Sequence, residues 1–355
     1  MRLAVLTNDF PPKPGGIQQY LGGLVDAYPH PLLVLAPSDA RAEPDIGVVR
    51  HHSQFMWPTR SVRSWAEREL KEFGAEAIVF GAPYPLARLG PSLSDRLGIP
   101  YVVLAHGAEV TMPAAIPGLR QWVAGPMRRA DARLALSGFT ARAVERITGE
   151  AVDVIGTGVH TGEPSLRSEP GSTVGCVSRF VPRKGQHRLI KAAARLISDG
   201  RRLELLFVGK GRTERALRRL AARLDVPARF EVDVPWDRLG ELYGEMDIFA
   251  MPCKSRWFGL EAEGLGLVYL EAAAAGLPVV AGDSGGAPET VVPGRTGFVV
   301  SRQSDLIEAL DLLLADQARA RQMGLEGRER VLTDFTWDRT VDRLLAVLSR
   351  VSHPK

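Results

Sequence analysis

Short apolar segments alternate with amphipathic segments along this chain, and that alternation constrains the fold more than any other feature. In the first half, the pattern predicts strands at 3–7, 32–36, 77–80, 101–105 and 132–136, and helices at 17–28, 62–73 and 140–147. After residue 172 it predicts strands at 174–177, 203–208, 248–250 and 278–281, and helices at 186–198, 212–224, 238–245, 267–275, 304–316 and 337–349. Strands that alternate with helices form a parallel sheet with helices on both faces. The sequence therefore predicts an α/β protein with two doubly wound parallel-sheet domains.

One segment interrupts the alternation and marks a domain boundary. It extends from Gly158 to Ser172 and is rich in Gly, Pro, Ser and Glu, which is typical of a linker. We predict an N-terminal domain at 1–160, a linker at 161–172, a second domain at 173–335 and a final helical segment at 336–355. Ligands of doubly wound sheets bind beyond the carboxyl ends of the strands. We therefore expect a ligand in a cleft between the two domains.

Composition excludes several classes of protein. The chain has 355 residues and two cysteines, Cys176 and Cys253, whose separation gives neither a zinc motif nor a disulfide framework, and this favours a reducing compartment. The net charge of +4 is too small to indicate nucleic-acid binding, although it permits attraction to anionic lipid. No apolar segment approaches the roughly 20 residues that a transmembrane helix needs, and the apolar start at 1–10 is too short for a signal peptide.

The stretch EGLGLVYLE, at 263–271, carries two carboxylates and a Gly-rich helix start. A helix start offers N–H groups without intrahelical partners, and glycines let an anion approach the backbone closely. Glu263 and Glu271 are eight residues apart, about 12 Å along a helix axis, which is about the reach from a ribose across a diphosphate to a sugar. The pattern indicates a nucleotide-sugar site, the alternative being two solvated helix acids.

Two further segments offer groups for a phosphate. Arg179 follows one predicted strand and Lys184 precedes the next helix, so that a guanidinium and an ammonium share one strand-to-helix turn. Gly15 and Gly16 precede the first helix and could present N–H groups to the same phosphate. The latter glycines do not form the Gly-x-Gly-x-x-Gly fingerprint, which argues against a nicotinamide cofactor. A solvated basic loop and a flexible turn are the plainer interpretations of these segments.

A histidine and an aromatic segment complete the candidates. His106 follows the predicted strand at 101–105, at the edge where α/β sites form, and could hydrogen-bond a sugar hydroxyl; a structural histidine is the alternative. Trp57 and Trp65 lie in a segment with several arginines, which is typical either of an interfacial amphipathic helix or of a packed helix with a solvated basic face.

Taken together, these motifs resemble the retaining glycosyltransferases that carry a Glu-x7-Glu signature on two Rossmann-like domains, the GT-B architecture. Within that superfamily they resemble the actinobacterial phosphatidylinositol mannoside mannosyltransferases. The resemblance extends over nearly the whole chain and rests on TNDFPPKPGGIQQYL, HGAEV, SRFVPRKGQHRLIKA, DIFAMPCKSR, EAEGLGLVYLEA and AGDSGGAPETV. It implies transfer of mannose from GDP-mannose to the inositol 6-hydroxyl of a phosphatidylinositol monomannoside, on the cytoplasmic face of an anionic membrane.

The resemblance also implies a role for each site residue. Arg179 and Lys184 would bind the donor diphosphate, Glu271 the ribose, and Glu263 the transferred sugar. The remaining donor contacts would be the backbone at Gly266, Leu267 and Val268, the base contacts Val234, Cys253 and Lys254, and, from the other domain, Gly16 at the phosphate and His106 at the sugar. The segment 336–355 would cross back to the N-terminal domain. Because cations and a helix start would stabilise the leaving diphosphate, we expect no metal cofactor.

Three positions depart from the family's pattern and leave the substrates open. Asp233 stands where relatives often carry a basic residue near the base, His160 stands where an Asp is usual, and Trp257 stands where small residues are usual. Another nucleotide-sugar, or an acceptor such as a soluble sugar, an inositol phosphate or another glycolipid, is therefore an alternative. A nucleotide-sugar epimerase of the same architecture is a second.

Overall fold

The structure is a computed structural model that describes residues 1–107, 109–111, 116, 118–160, 171–235 and 238–352, and the side chain of each of these except Phe258. The chain forms two compact units, Met1–Gly158 with Thr336–Lys355, and Val159–Phe335. Most of the predicted linker falls outside the described residues. Within the described part, no helix has both the length and the hydropathy needed to cross a bilayer.

The first unit is built on a parallel sheet of seven strands in the order β3-β2-β1-β4-β5-β6-β7. The central strand β1 is buried along its length because all four of its side chains are apolar, and it pairs in register with β2 and β4. The strands are β1 (Leu3–Leu6), β2 (Leu32–Pro37), β3 (Val48–His51), β4 (Ala77–Phe80), β5 (Tyr101–Ala105), β6 (Ala132–Ala135) and β7 (Asp153–Val154).

Helices cover this sheet, and the end of the chain returns to it. The described helices are α1 (Gly16–Ala27), α2 (Arg60–Phe73), α3 (Gly90–Leu97), α4 (Leu119–Arg128), α5 (Gly138–Thr148) and α12 (Trp337–Ser352). The last of these packs against α1, where Gly23 makes room: a Cβ on it would lie 2.1 Å from the Trp337 ring. Helix α2 is capped at its start by Thr59, whose side chain accepts the N–H of Val62, and at its end by Gly74 in the left-handed region.

The second unit repeats the architecture with six parallel strands in the order β10-β9-β8-β11-β12-β13. The strands are β8 (Thr173–Val177), β9 (Glu204–Val208), β10 (Ala228–Glu231), β11 (Ile248–Met251), β12 (Val279–Gly282) and β13 (Gly297–Val300). The helices are α6 (Gln186–Ser198), α7 (Glu214–Arg223), α8 (Leu239–Gly244), α9 (Leu267–Ala274), α10 (Gln303–Ala315) and α11 (Gln317–Asp334). The predicted pair of Rossmann-like sheets is confirmed.

The structure contains elements that the alternation did not predict. The strands β3, β7, β10 and β13 are short and lie at or next to sheet edges, and the helices α3, α4 and α11 were also missed. The helices predicted at 304–316 and 337–349 were expected to follow each other, which was wrong, because α11 lies between them. Its buried face includes Ala320, Gly324 and Gly327 beside Met323 and Val331, so small residues replace the large apolar ones that make a helical period visible.

Candidate functional site

The candidate site of the second unit lies where its strand order reverses. Strand β8 pairs with β9 on one side and with β11 on the other, and β11 continues toward β12. The carboxyl ends of parallel strands lie at the same edge of the sheet. Where the strand order reverses, the loops after neighbouring strands run in opposite directions and leave a crevice that can bind a ligand. The loop after β8 carries Arg179 and Lys184, and the loop after β11 carries Cys253 and Lys254. The structure thus brings segments from separate parts of the sequence to one edge.

An ion-pair cluster forms the centre of this site. The Nζ of Lys184 lies 2.8 Å from Oε2 of Glu263, and Nη1 of Arg183 lies 2.5 Å from the same oxygen. Lys184 and Glu263 are 7% and 8% exposed, so water screens these charges little. Lys184 ends a 3₁₀ turn at Pro182–Lys184, and the following Gly185 has a φ of +80° and packs on the carbonyl of Pro252. The turn therefore aims the ammonium inward.

The cluster keeps Glu263 ionised. Burial alone would raise the pKa of its carboxyl, but the Lys184 ammonium and the Arg183 guanidinium outweigh burial and hold that pKa at about 2. Glu263 is therefore a carboxylate at any pH at which an enzyme works. A fixed carboxylate accepts hydrogen bonds and cannot serve as a proton donor, which suits a group that holds sugar hydroxyls.

The loop after β12 holds the backbone of Glu263. The N–H of Gly286 donates to the Glu263 carbonyl at 2.8 Å, and the N–H of Glu263 donates to Oγ of Ser284 at 3.3 Å. Between them, Gly285 has a φ of +60°, and a Cβ there would lie 2.0 Å from the Glu263 carbonyl oxygen. Only glycine fits this approach. Gly285 and Gly286 thus hold the backbone of Glu263 and so fix the position from which its carboxylate projects.

Helix α9 begins at Leu267, a short Gly-rich turn after this carboxylate. Gly266 precedes the helix with a φ of +88°, and a Cβ on it would meet the Tyr269 ring at 2.6 Å. Within the described part of the chain, the N–H groups of Leu267 and Val268 donate to no acceptor. Unpaired N–H groups at a helix start favour an anion. The predicted phosphate contacts Gly266, Leu267 and Val268 therefore lie next to Glu263.

Glu271 has a different environment from Glu263. It is half-buried in the second turn of α9, and its Oε2 accepts a hydrogen bond of 2.8 Å from the hydroxyl of Tyr243. Burial raises the pKa of Glu271 to about 7, and the Tyr243 hydrogen bond lowers it in part. The two carboxyls of the Glu-x7-Glu pair therefore differ near neutral pH: one is always charged and the other takes up a proton.

Arg179 is exposed at the rim of the same edge. Its carbonyl accepts a hydrogen bond of 2.9 Å from Nε2 of Gln186, which also donates to Ser178 Oγ at 2.8 Å and so fixes the turn. Across the described chain, the Arg179 guanidinium forms no ion pair or hydrogen bond. An exposed guanidinium beside a buried ammonium offers two cations to one anion.

The residues predicted near the base have varied environments. Val234 is half-buried, Lys254 is exposed, and the N–H of Lys254 donates to the Arg183 carbonyl at 2.9 Å. Cys253 is buried, and its thiol lies 3.0 Å from the Tyr269 hydroxyl, so its hydrogen-bonding partner is within the protein. Asp233 pairs with Nζ of Lys210 at 2.5 Å. A contact of any of these with a base stays a prediction.

The two remaining candidates belong to the first unit. Gly16 is the first residue of α1, and the preceding Gly15 has a φ of +153°. His106 is buried after β5; its Nε2 lies 2.8 Å from the Gly81 carbonyl, and the Tyr20 ring packs on it edge-on. One imidazole nitrogen of His106 is therefore engaged within the protein. Ligand contacts of Gly16 and His106 stay predictions.

Sequence reasoning missed three residues that the structure places in the site. Arg183 stands directly before Lys184, so it could have been predicted as a third cation of the same strand-to-helix turn. Ser284 lies beside the glycine pair, whose role was not predicted. Tyr243 comes from α8, far from the glutamates in sequence, and no local pattern connects it to Glu271.

Models of two protein families match this chain. "Glycosyl transferases group 1" matches residues 163–330, and "Glycosyltransferase Family 4" matches residues 14–163. The two matches together extend over both compact units.

Individual proteins match over nearly the full length. The chain is 38% identical to the GDP-mannose-dependent alpha-(1-6)-phosphatidylinositol monomannoside mannosyltransferase of Mycolicibacterium smegmatis, with 98% of each chain covered. It is 36% identical to the corresponding enzyme for the monoacylated acceptor from Corynebacterium glutamicum, with 97% of each covered. Among solved structures, HepE of Anabaena in complex with UDP and glucose matches with a TM-score of 0.80 at 20% identity, over 98% of this chain and 99% of that one.

Proposed function

The chain belongs to the glycosyl transferases of group 1, and from that premise we propose that it transfers mannose from GDP-mannose to phosphatidylinositol monomannoside. The observation that carries the proposal is the cluster of Lys184 and Arg183 around an ionised Glu263, at the start of α9 and eight residues before Glu271. This arrangement offers positive charge to a diphosphate and a carboxylate to the group on either side of it. Relatives at 36% and 38% identity carry the GDP-mannose-dependent activity in their names.

In the proposed reaction, the donor diphosphate is the leaving group. The bond between the mannose anomeric carbon and the phosphate oxygen breaks, and the acceptor hydroxyl oxygen bonds to that carbon from the same face. The acceptor's proton passes to the departing phosphate oxygen. Lys184, Arg179 and the N–H groups of Leu267 and Val268 stabilise the growing negative charge, and Glu263 orients the sugar through its hydroxyls.

This reaction retains the α configuration and needs neither a protein nucleophile nor a divalent ion. The positive charge that a metal would supply comes from the side chains of Lys184 and Arg179 instead. Activity in the presence of a strong chelator is the expected result. Loss of activity on chelation and its return with added Mg²⁺ or Mn²⁺ would refute this part of the proposal.

An exposed aromatic row on the first unit supports a lipid acceptor. Phe55 and Trp57 are 40% and 50% exposed, and their ring centroids are 5.0 Å apart. Trp57 lies 6.2 Å from Tyr84, which lies 4.6 Å from Trp122, and the Arg88 guanidinium stacks on Trp122 at 4.8 Å. Tryptophan and tyrosine favour the membrane interface, and arginine favours anionic lipid. We propose that this row lets the protein act peripherally on the inner face of the plasma membrane.

The helix that follows this row packs as the plainer interpretation predicted. Trp65 is half-buried and lies edge-on to His51 at 4.9 Å between ring centroids. The side chains of Val62, Ala66 and Leu70 are buried on the same helix, α2. Helix α2 therefore contributes Arg60 and Arg68 to the surface, whereas Trp57 in the preceding loop contributes the exposed ring.

A donor and acceptor panel tests the proposed function. Thermal shift with GDP- and UDP-sugars identifies the donor, and the best donor is then assayed on detergent-dispersed phosphatidylinositol monomannoside, other glycolipids, soluble sugars and inositol phosphate. We expect GDP-mannose and phosphatidylinositol monomannoside to give the highest kcat/KM. Transfer only to a water-soluble acceptor would refute the acceptor. Conversion of the donor to another sugar nucleotide without any acceptor would indicate an epimerase.

A further inference from the structure

We propose that Tyr243 positions Glu271 and keeps its carboxylate available to the donor's ribose, so that nucleotide binding weakens when this carboxyl takes up a proton. The proposal rests on the proposed function, in which Glu271 holds the ribose of GDP-mannose. It assigns a positioning role to Tyr243 and a pH dependence to the donor site.

The geometry of Tyr243 supports a positioning role. Tyr243 lies in the last turn of α8 and is 4% exposed, so that its packed ring fixes the direction of its hydroxyl. The ring lies 6.1 Å from Phe249 of β11, between centroids. The hydroxyl donates to Oε2 of Glu271 at 2.8 Å, and among the described residues Oε1 accepts no hydrogen bond. One carboxylate oxygen is thus held and the other is left for ribose hydroxyls.

Among the residues that the structure describes, the elements around α9 bring no cation to Glu271. Strands β11 and β12 carry no titratable side chain, and the 3₁₀ turn Ala287–Thr290 carries one, Glu289. On α11, the guanidiniums of Arg328 and Arg330 donate to main-chain carbonyls instead. On α9 itself, the Tyr269 hydroxyl donates to the carbonyl of Met251. The influences on the pKa of Glu271 are therefore burial, which raises it, and the Tyr243 hydrogen bond, which lowers it.

Among the described residues, the thiol of Cys176 is a further titratable group that acts on this pair. It lies on β8, and its charge would act on the Tyr243 hydroxyl rather than on Glu271. Burial raises the pKa of Cys176 to about 12, so the thiol is neutral at physiological pH. The pair of Tyr243 and Glu271 therefore titrates through Glu271 alone, with a pKa of about 7 in the free protein.

The ribose hydroxyls then couple binding to this proton. Both hydroxyls donate well to a carboxylate, whereas a protonated carboxyl has one acceptor oxygen fewer. GDP should bind most tightly above pH 7 and lose up to tenfold in affinity per pH unit below it. Removal of the Tyr243 hydroxyl takes away the interaction that favours the charged form. The pKa of Glu271 then rises, and the loss of affinity begins at a higher pH.

The test is the dissociation constant of GDP, measured by titration calorimetry between pH 6.5 and 8.5. Tyr243→Phe keeps the buried ring and removes the hydroxyl. For a pKa rise of about one unit, we expect binding about fivefold weaker than wild type at pH 7, with near-equal affinity at pH 8.5. Tyr101→Phe is the matched control, since Tyr101 is also buried and its hydroxyl donates to the Pro126 carbonyl at 2.7 Å in the first unit. It should bind as wild type does.

Two further arms isolate the carboxyl. Glu271→Gln cannot titrate, so its curve reports the terminal phosphate of GDP, which itself titrates near pH 6, at about the value of a phosphate monoester. 2′,3′-Dideoxy-GDP lacks the hydroxyls that Glu271 would hold. The difference in pH dependence between wild type and Glu271→Gln should appear with GDP and vanish with the dideoxy analogue.

Each outcome decides one proposal. If wild type fails to bind GDP at every pH, the proposed function is wrong, whatever Tyr243 does. If wild type binds and Tyr243→Phe weakens binding equally at all pH values, or leaves it unchanged, Tyr243 is a packing residue and the inference is overturned. Should Tyr243→Phe not fold, identical pH curves for wild type and Glu271→Gln would overturn it equally.

Discussion

Glu263 and Glu271 show how neighbouring elements give one residue type two different properties. Lys184 and Arg183 hold the pKa of Glu263 at about 2, whereas burial raises the pKa of Glu271 to about 7 and, within the described chain, the Tyr243 hydroxyl is its hydrogen-bond donor. Two carboxyls whose environments separate their pKa values have different tasks. In the proposed reaction, Glu263 would be a permanently charged acceptor for the sugar hydroxyls, and the protonation of Glu271 would make nucleotide binding depend on pH.

The same contrast predicts opposite effects on stability. Glu271 has a raised pKa, so the folded protein binds more protons than the unfolded one between about pH 4.5 and 7, and its stability falls as pH rises through that window. Relative to Glu271→Gln, the free energy of unfolding of wild type should fall by about 3 kcal/mol from pH 4.5 to 8 without nucleotide. Chemical denaturation of both proteins at each pH measures this. Parallel pH profiles would contradict the raised pKa.

Glu263 should behave in the opposite way. Its lowered pKa contributes stability that is present above about pH 4.5 and is lost as pH falls toward 2. Glu263→Gln should therefore be less stable than wild type at pH 7, because Lys184 and Arg183 lose their counter-charge. The deficit should shrink as the pH falls below 4.5. A deficit that is the same at pH 3 and pH 7 would show that packing, not charge, is responsible.

Lys184 should contribute directly to transition-state stabilisation. Its Nζ is buried beside the helix start, where a diphosphate would gain charge as it departs. Lys184→Ala should remove about 3 kcal/mol of transition-state stabilisation, measured as a fall in kcat/KM and comparable to the loss of one oxyanion donor. Lys191→Ala, an exposed lysine on the following helix, is the control. A loss of less than tenfold in kcat/KM would contradict the assignment.

At this scale, spacing in the sequence led to several of the candidate residues, whose roles stay predictions. Glu263 and Glu271 stand out as two carboxylates on either side of a Gly-rich helix start, and Arg179 and Lys184 because two cations share one turn. The expected spacing of about 12 Å along a helix axis was wrong, because Glu263 lies before α9 rather than within it. Tyr243 could not be found, because its contact with Glu271 joins residues from separate elements. Its hydroxyl reaches Glu271 only once α8 and α9 have both taken their places in the folded unit.

Among the elements, the loop after β12 determines where Glu263 lies. Gly285→Ala would place a Cβ 2.0 Å from the Glu263 carbonyl oxygen, at a φ of +60°. Since this displaces the carboxylate, we expect kcat/KM to fall about 100-fold, as misplacement of about 1 Å does elsewhere. Gly294→Ala is the matched control: its φ is +77°, yet nothing lies within 4 Å of the added atom. Equal effects of both substitutions on kcat/KM would show that backbone strain, not displacement, is responsible.

The elements that sequence reasoning found and missed differ in burial. Central strands such as β1, β4 and β5 are apolar throughout and were predicted to within one residue. The edge strand β10 mixes exposed and half-buried side chains, so it shows no apolar run. Helix α11 approaches α9 closely through Gly324, where a Cβ would lie 2.0 Å from the Gly276 carbonyl. Close packing through glycine leaves no hydrophobic period to read.

For the whole molecule, access to the lipid acceptor is the function proposed for the aromatic row. Trp57→Ala removes the most exposed ring of the row. We therefore expect the coefficient for partition onto anionic phosphatidylinositol vesicles, measured by flotation, to fall about tenfold. Trp257→Ala removes a ring that is 55% exposed in the second unit and should leave flotation unchanged. Equal flotation of wild type and Trp57→Ala would exclude Trp57 from the membrane contact.

The reaction proposed for this protein is the retaining transfer of mannose from GDP-mannose to phosphatidylinositol monomannoside. The most direct measurement is ¹³C NMR of the lipid product formed from GDP-mannose labelled at the anomeric carbon, in chelator-containing buffer. We predict an α-mannoside signal in the lipid fraction with wild type and almost none with Lys184→Ala. A β-mannoside, free mannose alone, or unchanged donor would contradict the account.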